Sequence, residues 1–183
     1  MKTESTAKYV CRLALTLLII TSVVAGILAF VNGITAPRIA AAREAKVQQA
    51  IEAVLPGGGE PVETFEDATG TVKKVYASDT GYAIEVHPSG FNGEITMMVG
   101  VGKDGKVLGM SIVNQTETAG LGAVSAAKTS AGEAFRNQYA GQSGTLAVTK
   151  DGGSIDAITG ATITSRAVTA GVNAALACAE NLG

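Results

Sequence analysis

From Leu13 to Val31 the chain carries no charged side chain. That run comes close to the ~20 apolar residues a helix needs to cross a bilayer. In hydrocarbon every backbone polar group must be satisfied within the segment, so a single span has to be a helix. Lys2, Lys8 and Arg12 precede the run, as basic residues precede the apolar part of a secretory leader. The run outlasts the roughly 7–15 apolar residues of such leaders, and Pro37 follows Ala36 where cleavage would be sought. It is therefore read as a retained single anchor in the lipid bilayer. Its direction stays open. Lys2, Lys8 and Arg12 stand against Glu4 on one side, and Arg38, Arg43 and Lys46 against Glu44 on the other, nearly a tie under the positive-inside rule.

Residues 1–35 are thus a tail and anchor, and residues 36–183 have the usual size of one globular domain. A net charge of −2 offers no basic footprint for nucleic acid. The 23 glycines are scattered, which suits turns and close backbone approaches rather than a flexible linker. The two cysteines, Cys11 at the anchor and Cys178 near the end, are not expected to meet, and His87 is the one histidine. An iron–sulfur cluster needs about four thiolates or their equivalent. This chain alone cannot supply them, and His87, ahead of Pro88, reads as a surface loop residue.

Pro37 to Leu55 reads as a helix, with Pro37 in its first turn and Val47, Ile51 and Leu55 recurring every fourth position. Strand candidates follow at Thr71–Ala77, Gly81–Val86, Glu94–Val101 and Val107–Asn114. Asp104-Gly105 between the last two is a strong hairpin signal. Ala123–Tyr139 reads as a helix, Thr145–Lys150 as a further strand, and Ser165–Leu182 as a closing helix whose apolar face is Val168, Val172, Leu176 and Ala179. Strands in succession with helices at the edges predict an α+β fold with a mainly antiparallel sheet.

The densest chemical signal precedes that last helix: Thr159-Gly160-Ala161-Thr162-Ile163-Thr164-Ser165, with Asp156 upstream. Hydroxyls at a helix start suit an ordinary N-cap. The same position also favours an anion such as phosphate, through free N–H groups and the helix dipole. On the residues alone both readings stand.

Asp156 to Thr164 resembles the flavinylation motif of the FMN-binding domain family, in which a threonine hydroxyl forms a phosphoester with FMN. By position the resemblance makes Thr162, directly after Gly160-Ala161, the covalent attachment residue. Thr159 fills a place where the family has Ser or Thr, Thr164 is the neighbouring hydroxyl, and Ser165 opens the helix that would face the phosphate. A second stretch, Glu117-Thr118-Ala119-Gly120-Leu121-Gly122, resembles the family's Glu-Thr-Pro-Gly-Leu-Gly segment, with Ala119 in place of proline. Gly90-Phe91-Asn92-Gly93-Glu94-Ile95 resembles the start of the same family's hairpin. The glycines Gly120 and Gly122 suit a plain turn. The resemblance instead implies a loop lining the flavin, with Thr118 bonding it and Leu121 packing on the ring.

The order of anchor, helix, hairpin, Glu-Thr loop and late threonine motif is similar to that of the G subunits of Rnf electron-transport complexes. Their relatives are the C subunits of sodium-pumping NADH:quinone reductases. The resemblance implies a redox subunit that is no autonomous catalyst. It would carry electrons in a complex coupling ferredoxin:NAD⁺ electron transfer to Na⁺ or H⁺ translocation, with the domain on the extracytoplasmic face of the inner membrane. It further implies other Rnf subunits as partners and a flavin transferase for maturation. Three other readings stay open: a free-standing extracytoplasmic flavoprotein, the quinone-reductase subunit, and a membrane-tethered structural protein. No Gly-x-Gly-x-x-Gly leads from a predicted strand into a predicted helix, so nicotinamide binding by this chain is not expected.

Overall fold

A computed structural model describes residues 6–67 and 69–182. Lys2 and Glu4, part of the charge balance above, lie outside the described residues. The chain divides into two compact units after Ala45.

The apolar run lies in helix α1, Thr6–Val54, whose side chains from Lys8 to Ile34 are almost all exposed. This is a helix long and apolar enough to cross a membrane, and an unpaired apolar surface of that length is a membrane anchor. Pro37 sits inside α1 instead of opening a second helix. It removes one donor, the one that would bond the Gly33 carbonyl. The remaining ladder is long enough to propagate past a single missing bond. The predicted end holds: Leu55 N–H bonds the Ile51 carbonyl at 2.7 Å, and Gly57 and Gly58 then leave the helix with positive φ.

In the second unit five antiparallel strands pair in sequence order: β1 Glu60–Val62, β2 Val72–Ala77, β3 Gly81–Val86, β4 Thr96–Gly102 and β5 Val107–Asn114. β1 escaped prediction because three residues, Glu-Pro-Val, carry no period. Both faces of the sheet are covered. Ile84, Val86, Met97, Val99 and Val101 join Val168, Val172 and Leu176 of helix α3, Thr162–Leu182, in the main core. On the other face Ala83 and Met98 pack with Ala50, Ile51, Val54 and Leu55. That is why β4 reads as a continuous apolar run and not as an alternation.

Two predicted elements differ. Ala123–Tyr139 is not one helix but a 3₁₀ turn, Gly122–Ala126, followed by α2, Ser130–Asn137. Thr129 restarts the helix by accepting a hydrogen bond from Gly132 N–H at 3.3 Å. Thr145–Lys150 is not a strand. Leu146 spends its N–H and carbonyl on the Asn173 side chain of α3, at 2.9 and 2.8 Å, leaving no ladder to extend. Thr149–Asp151 then closes as a 3₁₀ turn, tied by a single parallel bridge between Val148 and Ile155. His87 is half-buried, not a loop-surface residue, with Nε2 2.9 Å from Glu85 and Nδ1 3.3 Å from Glu94.

Candidate functional site

The last turn before α3 sorts the hydroxyls of the threonine motif. Gly160 has a φ of +76°, a conformation that costs a residue with a Cβ dearly. The turn it makes lets Ala161 N–H bond the Ile158 carbonyl at 2.9 Å and Ser165 N–H bond the Ala161 carbonyl at 3.0 Å. Helix α3 therefore begins at Thr162, three positions ahead of the predicted Ser165. The early start is not visible in propensity, since Thr-Ile-Thr is β-branched and a modest helix former. Tertiary bonds supply what propensity lacks.

Those bonds use two of the hydroxyls. Thr164, 2% exposed, donates to the Glu117 carboxylate. Ser165 is fully buried, accepts from Ile158 N–H and donates to the Ala161 carbonyl, both at 3.0 Å. Thr162 is half-buried, and its Oγ1 accepts a hydrogen bond from Lys150 Nζ at 3.0 Å. Thr159 is exposed in the turn before. The N–H groups of Thr162, Ile163 and Thr164 occupy the first turn, where no carbonyl of the helix can pair with them. The helix dipole places partial positive charge at the same spot.

Glu117 gathers the three segments singled out in the sequence. Its carboxylate accepts from Thr164, from Asn92 N–H at 2.8 Å and from Phe91 N–H at 3.2 Å. Burial pushes this carboxyl up, but the hydrogen bonds from Thr164, Asn92 and Phe91 outweigh it and hold the group below the usual carboxylate range. Gly122 explains itself here. A Cβ at that position would collide with Thr164 Oγ1 and with Glu117 Oε2, so only glycine lets the loop pass the bonded pair. A Cβ on Gly160 would stand 3.0 Å from Leu121 Cδ2, so Leu121 lies over the glycine turn.

Between the two loops lies an open cleft of about 290 Å³. Glu117, Thr118 and Gly122 form one wall; Gly160, Ala161, Thr162 and Thr164 form the other. Its rim is apolar and outward-facing, with Phe91 65%, Ile163 52% and Leu121 41% exposed. Gly120, with φ +76°, shapes the turn beside Leu121 without lining the cleft, and Thr159 and Ser165 also lie off its walls. Phe91 and Ile163 had no role in the sequence reading. An aromatic between turn glycines, and an isoleucine out of phase with the buried face of α3, were the available signals. Lys150 left no signal at all, because nothing local ties it to a residue 12 positions on.

Comparison with known proteins bears directly on these segments. A family model described as the FMN-binding domain matches residues 90–177, which hold every wall of the cleft. A second, the RnfG N-terminal region, matches residues 1–54. The chain is 34% identical to the G subunit of the Na(+)-translocating ferredoxin:NAD(+) oxidoreductase complex of Acetobacterium woodii, over 96% of this chain and 94% of that protein. It is 38% identical to the proton-translocating counterpart of Clostridium ljungdahlii, over 87% and 86% respectively. It is 32% identical to the G subunit of the ion-translocating oxidoreductase complex of Vibrio cholerae, over 88% and 86%. An anchor helix, a five-stranded sheet and a match along nearly the whole length of these relatives place the chain: it belongs to the G-subunit family of the Rnf-type ion-translocating oxidoreductase complexes, and its folded unit is an FMN-binding domain.

Proposed function

We propose that this chain is a membrane-anchored electron carrier in a complex that couples ferredoxin:NAD⁺ electron transfer to Na⁺ or H⁺ translocation, with FMN esterified through its phosphate to Thr162. The observation that carries the attachment is the sorting of hydroxyls at the start of α3. Thr164 and Ser165 are buried and committed to Glu117 and to the local backbone, while Thr162 is half-buried on the wall of the cleft.

The residues present fit such a group. First-turn N–H groups and the helix dipole suit the single charge of a phosphodiester, by about 0.3–1 kcal/mol at an exposed site. Phe91, Leu121 and Ile163 offer an apolar rim to a planar ring. A volume of about 290 Å³ lies at the small end of ligand pockets, so a flavin seated here leaves much of its surface outward, toward a redox partner. When bound, FMN supplies the redox chemistry; the protein supplies attachment, orientation and local electrostatics. Thr162 is the tether, Glu117 fixes the two loops against each other, and Leu121 and Gly160 shape the place where the tether emerges.

Residues 1–35 serve as tail and anchor and hold residues 36–183 outside the cytoplasm, where the remaining Rnf subunits are the redox partners. A separate flavin transferase installs the ester, because an alkyl hydroxyl with no base hydrogen-bonded to it is a poor nucleophile at its free pKa. The test is peptide mass mapping with in-gel flavin fluorescence of the full chain co-expressed with a flavin transferase. The FMN mass belongs on the peptide containing Thr162, and Thr162→Ala should abolish the fluorescence. Flavin on Thr164, or flavin retained in Thr162→Ala, would overturn the assignment.

A further inference from the structure

Lys150 makes no ion pair with a carboxylate among the described residues. Among the described residues its side chain has one polar partner, the Thr162 hydroxyl, at 3.0 Å. Arg166 is held by Asp151, Lys106 lies 3.8 Å from Asp104, and Arg136 donates to the carbonyls of Ser125 and Ala127. Lys73, too, makes no ion pair with a carboxylate among the described residues and donates to the Gly70 carbonyl, so what sets Lys150 apart is its contact with the Thr162 hydroxyl. The contact is also built from below. Thr149–Asp151 is a 3₁₀ turn whose N–H groups of Asp151 and Gly152 bond the carbonyls of Val148 and Thr149. Asp151 grips Arg166 of α3 with two bonds, 2.7 and 2.6 Å, in the planar fork that arginine and carboxylate favour. That fork locks the turn onto the first turns of α3, and the residue next to Asp151 is Lys150.

We propose that Lys150 is the phosphate-facing cation of the attachment site: it holds the Thr162 hydroxyl in place before the ester exists and pairs with a non-bridging phosphate oxygen afterwards. This rests on the reading that Thr162 carries the flavin. An ammonium has three donors and no acceptor, so Lys150 contributes charge and hydrogen bonds and takes up no proton. When the transferase moves the FMN phosphoryl group from a flavin dinucleotide onto Oγ1, the P–O–P bond breaks, the nucleoside monophosphate leaves and the hydroxyl proton is released. Oγ1 is then a weaker acceptor, and the phosphodiester brings one negative charge beside it. A lysine already within hydrogen-bond distance of Oγ1 then has a stronger partner within reach of a small rotation.

The full chain is prepared in detergent with a flavin transferase, as wild type, Lys150→Met and Lys150→Arg. Intact mass gives the rate of flavin attachment under limiting transferase, and phosphorus NMR reports the environment of the ester at low and high salt. Methionine keeps an unbranched apolar stem and loses the charge; arginine keeps the charge. Lys150→Met should attach flavin about three- to fivefold more slowly, the scale of an exposed ion pair. Its phosphorus resonance should differ from wild type at low salt and converge with it at high salt, where an exposed pair is screened. Lys150→Arg should restore most of the rate and the low-salt resonance. A wild-type rate and resonance in Lys150→Met overturn the assignment of Lys150 while leaving the Thr162 reading intact. Wild-type protein with no flavin on Thr162 overturns both. A slow Lys150→Met whose resonance matches wild type at every salt concentration also overturns the pairing, since only packing would then have changed.

Discussion

Thr164 gives its hydroxyl hydrogen to the Glu117 carboxylate, a bond that spans 47 positions of sequence and is buried at both ends. It joins the loop before the 3₁₀ turn to the start of α3, and it commits the buried Thr164 hydroxyl to Glu117 while Thr162, on the same wall of the cleft, stays half-buried. One hydrogen bond thereby makes two nearly identical threonines chemically different.

Cutting that bond should destabilise the fold and spare the attachment. In Thr164→Val the Glu117 carboxylate loses its side-chain donor, and removing one partner of a buried pair costs about 1–3 kcal/mol. Glu117→Ala strands the N–H groups of Phe91 and Asn92 as well, and a loss of about 2–4 kcal/mol follows. Denaturant melts give both numbers. A Thr164→Val protein of wild-type stability would mean the bond does not hold the loops. The pH dependence has a definite sign. The folded-state pKa of Glu117 lies below the ordinary 4.5, so its stabilisation is present above pH 4.5 and is lost as pH falls through the lower folded value. Glu117→Gln should show a shallower decline in that acid range.

Leu121→Ala should leave flavin attachment complete and shift the flavin's absorption maximum or midpoint potential. Leu121 lies over Gly160 on the rim of the cleft, and its half-exposed side chain adds little to core stability. Spectra and a redox titration of the loaded protein decide the matter. Unchanged values would reduce the Glu117–Gly122 loop to a turn.

Orientation across the membrane can be read from one introduced thiol. Ser89 is exposed and bridged to Glu94, and the native thiols are Cys11, exposed, and Cys178, buried. In a Cys11→Ala background, Ser89→Cys should react with a membrane-impermeant maleimide in intact cells. Labelling only after the membrane is opened would place the flavin domain on the cytoplasmic side.

Alkaline pH should unfold the domain partly through Tyr139. The side chain is fully buried with its hydroxyl 2.8 Å from Thr169, and burial pushes its pKa from 10.0 up to about 12, the Thr169 bond only partly opposing it. The folded state therefore holds the proton more tightly than the unfolded one. Nothing changes below pH 10; stability then falls as pH rises from 10 toward 12, by on the order of 2 kcal/mol. Tyr139→Phe should remove that share of the slope. Equal slopes in the two proteins above pH 10 would show that other groups account for all of it.

The parts of the fold that the chain announces locally are those whose physics is local. Asp104-Gly105 closes the hairpin between β4 and β5 because the turn needs a residue free to take positive φ, and Gly105 takes it at +72°. Gly81–Val86 and Val107–Asn114 coincide with β3 and β5, where apolar runs end at turn residues. Val168, Val172, Leu176 and Ala179 are buried as their spacing predicted, since one face of a helix must pack. Where a prediction missed, a distant residue intervened. Asn173 takes the backbone bonds that would have made Thr145–Lys150 a strand. The carbonyls of Val124 and Ala127 crowd Gly132 closely enough to exclude any side chain there, in a stretch that periodicity reads as one helix.

By itself the sequence determined the anchor, because hydrocarbon tolerates only apolar side chains on a self-satisfied helix. It also determined the residue types of the threonine motif and of the Glu-Thr loop. Only the tertiary structure decided which hydroxyl is left accessible in the cleft, that Glu117 ties its own loop to the Phe91–Asn92 segment and to the start of α3, and that Lys150 reaches Thr162. Periodicity and turn chemistry act over a few residues, whereas the exposure of a hydroxyl depends on what chain folding brings against it. Thr162 and Thr164 differ by two positions, each worth about 100° of helical rotation. That rotation brings one against the Glu117 carboxylate and the other within reach of Lys150.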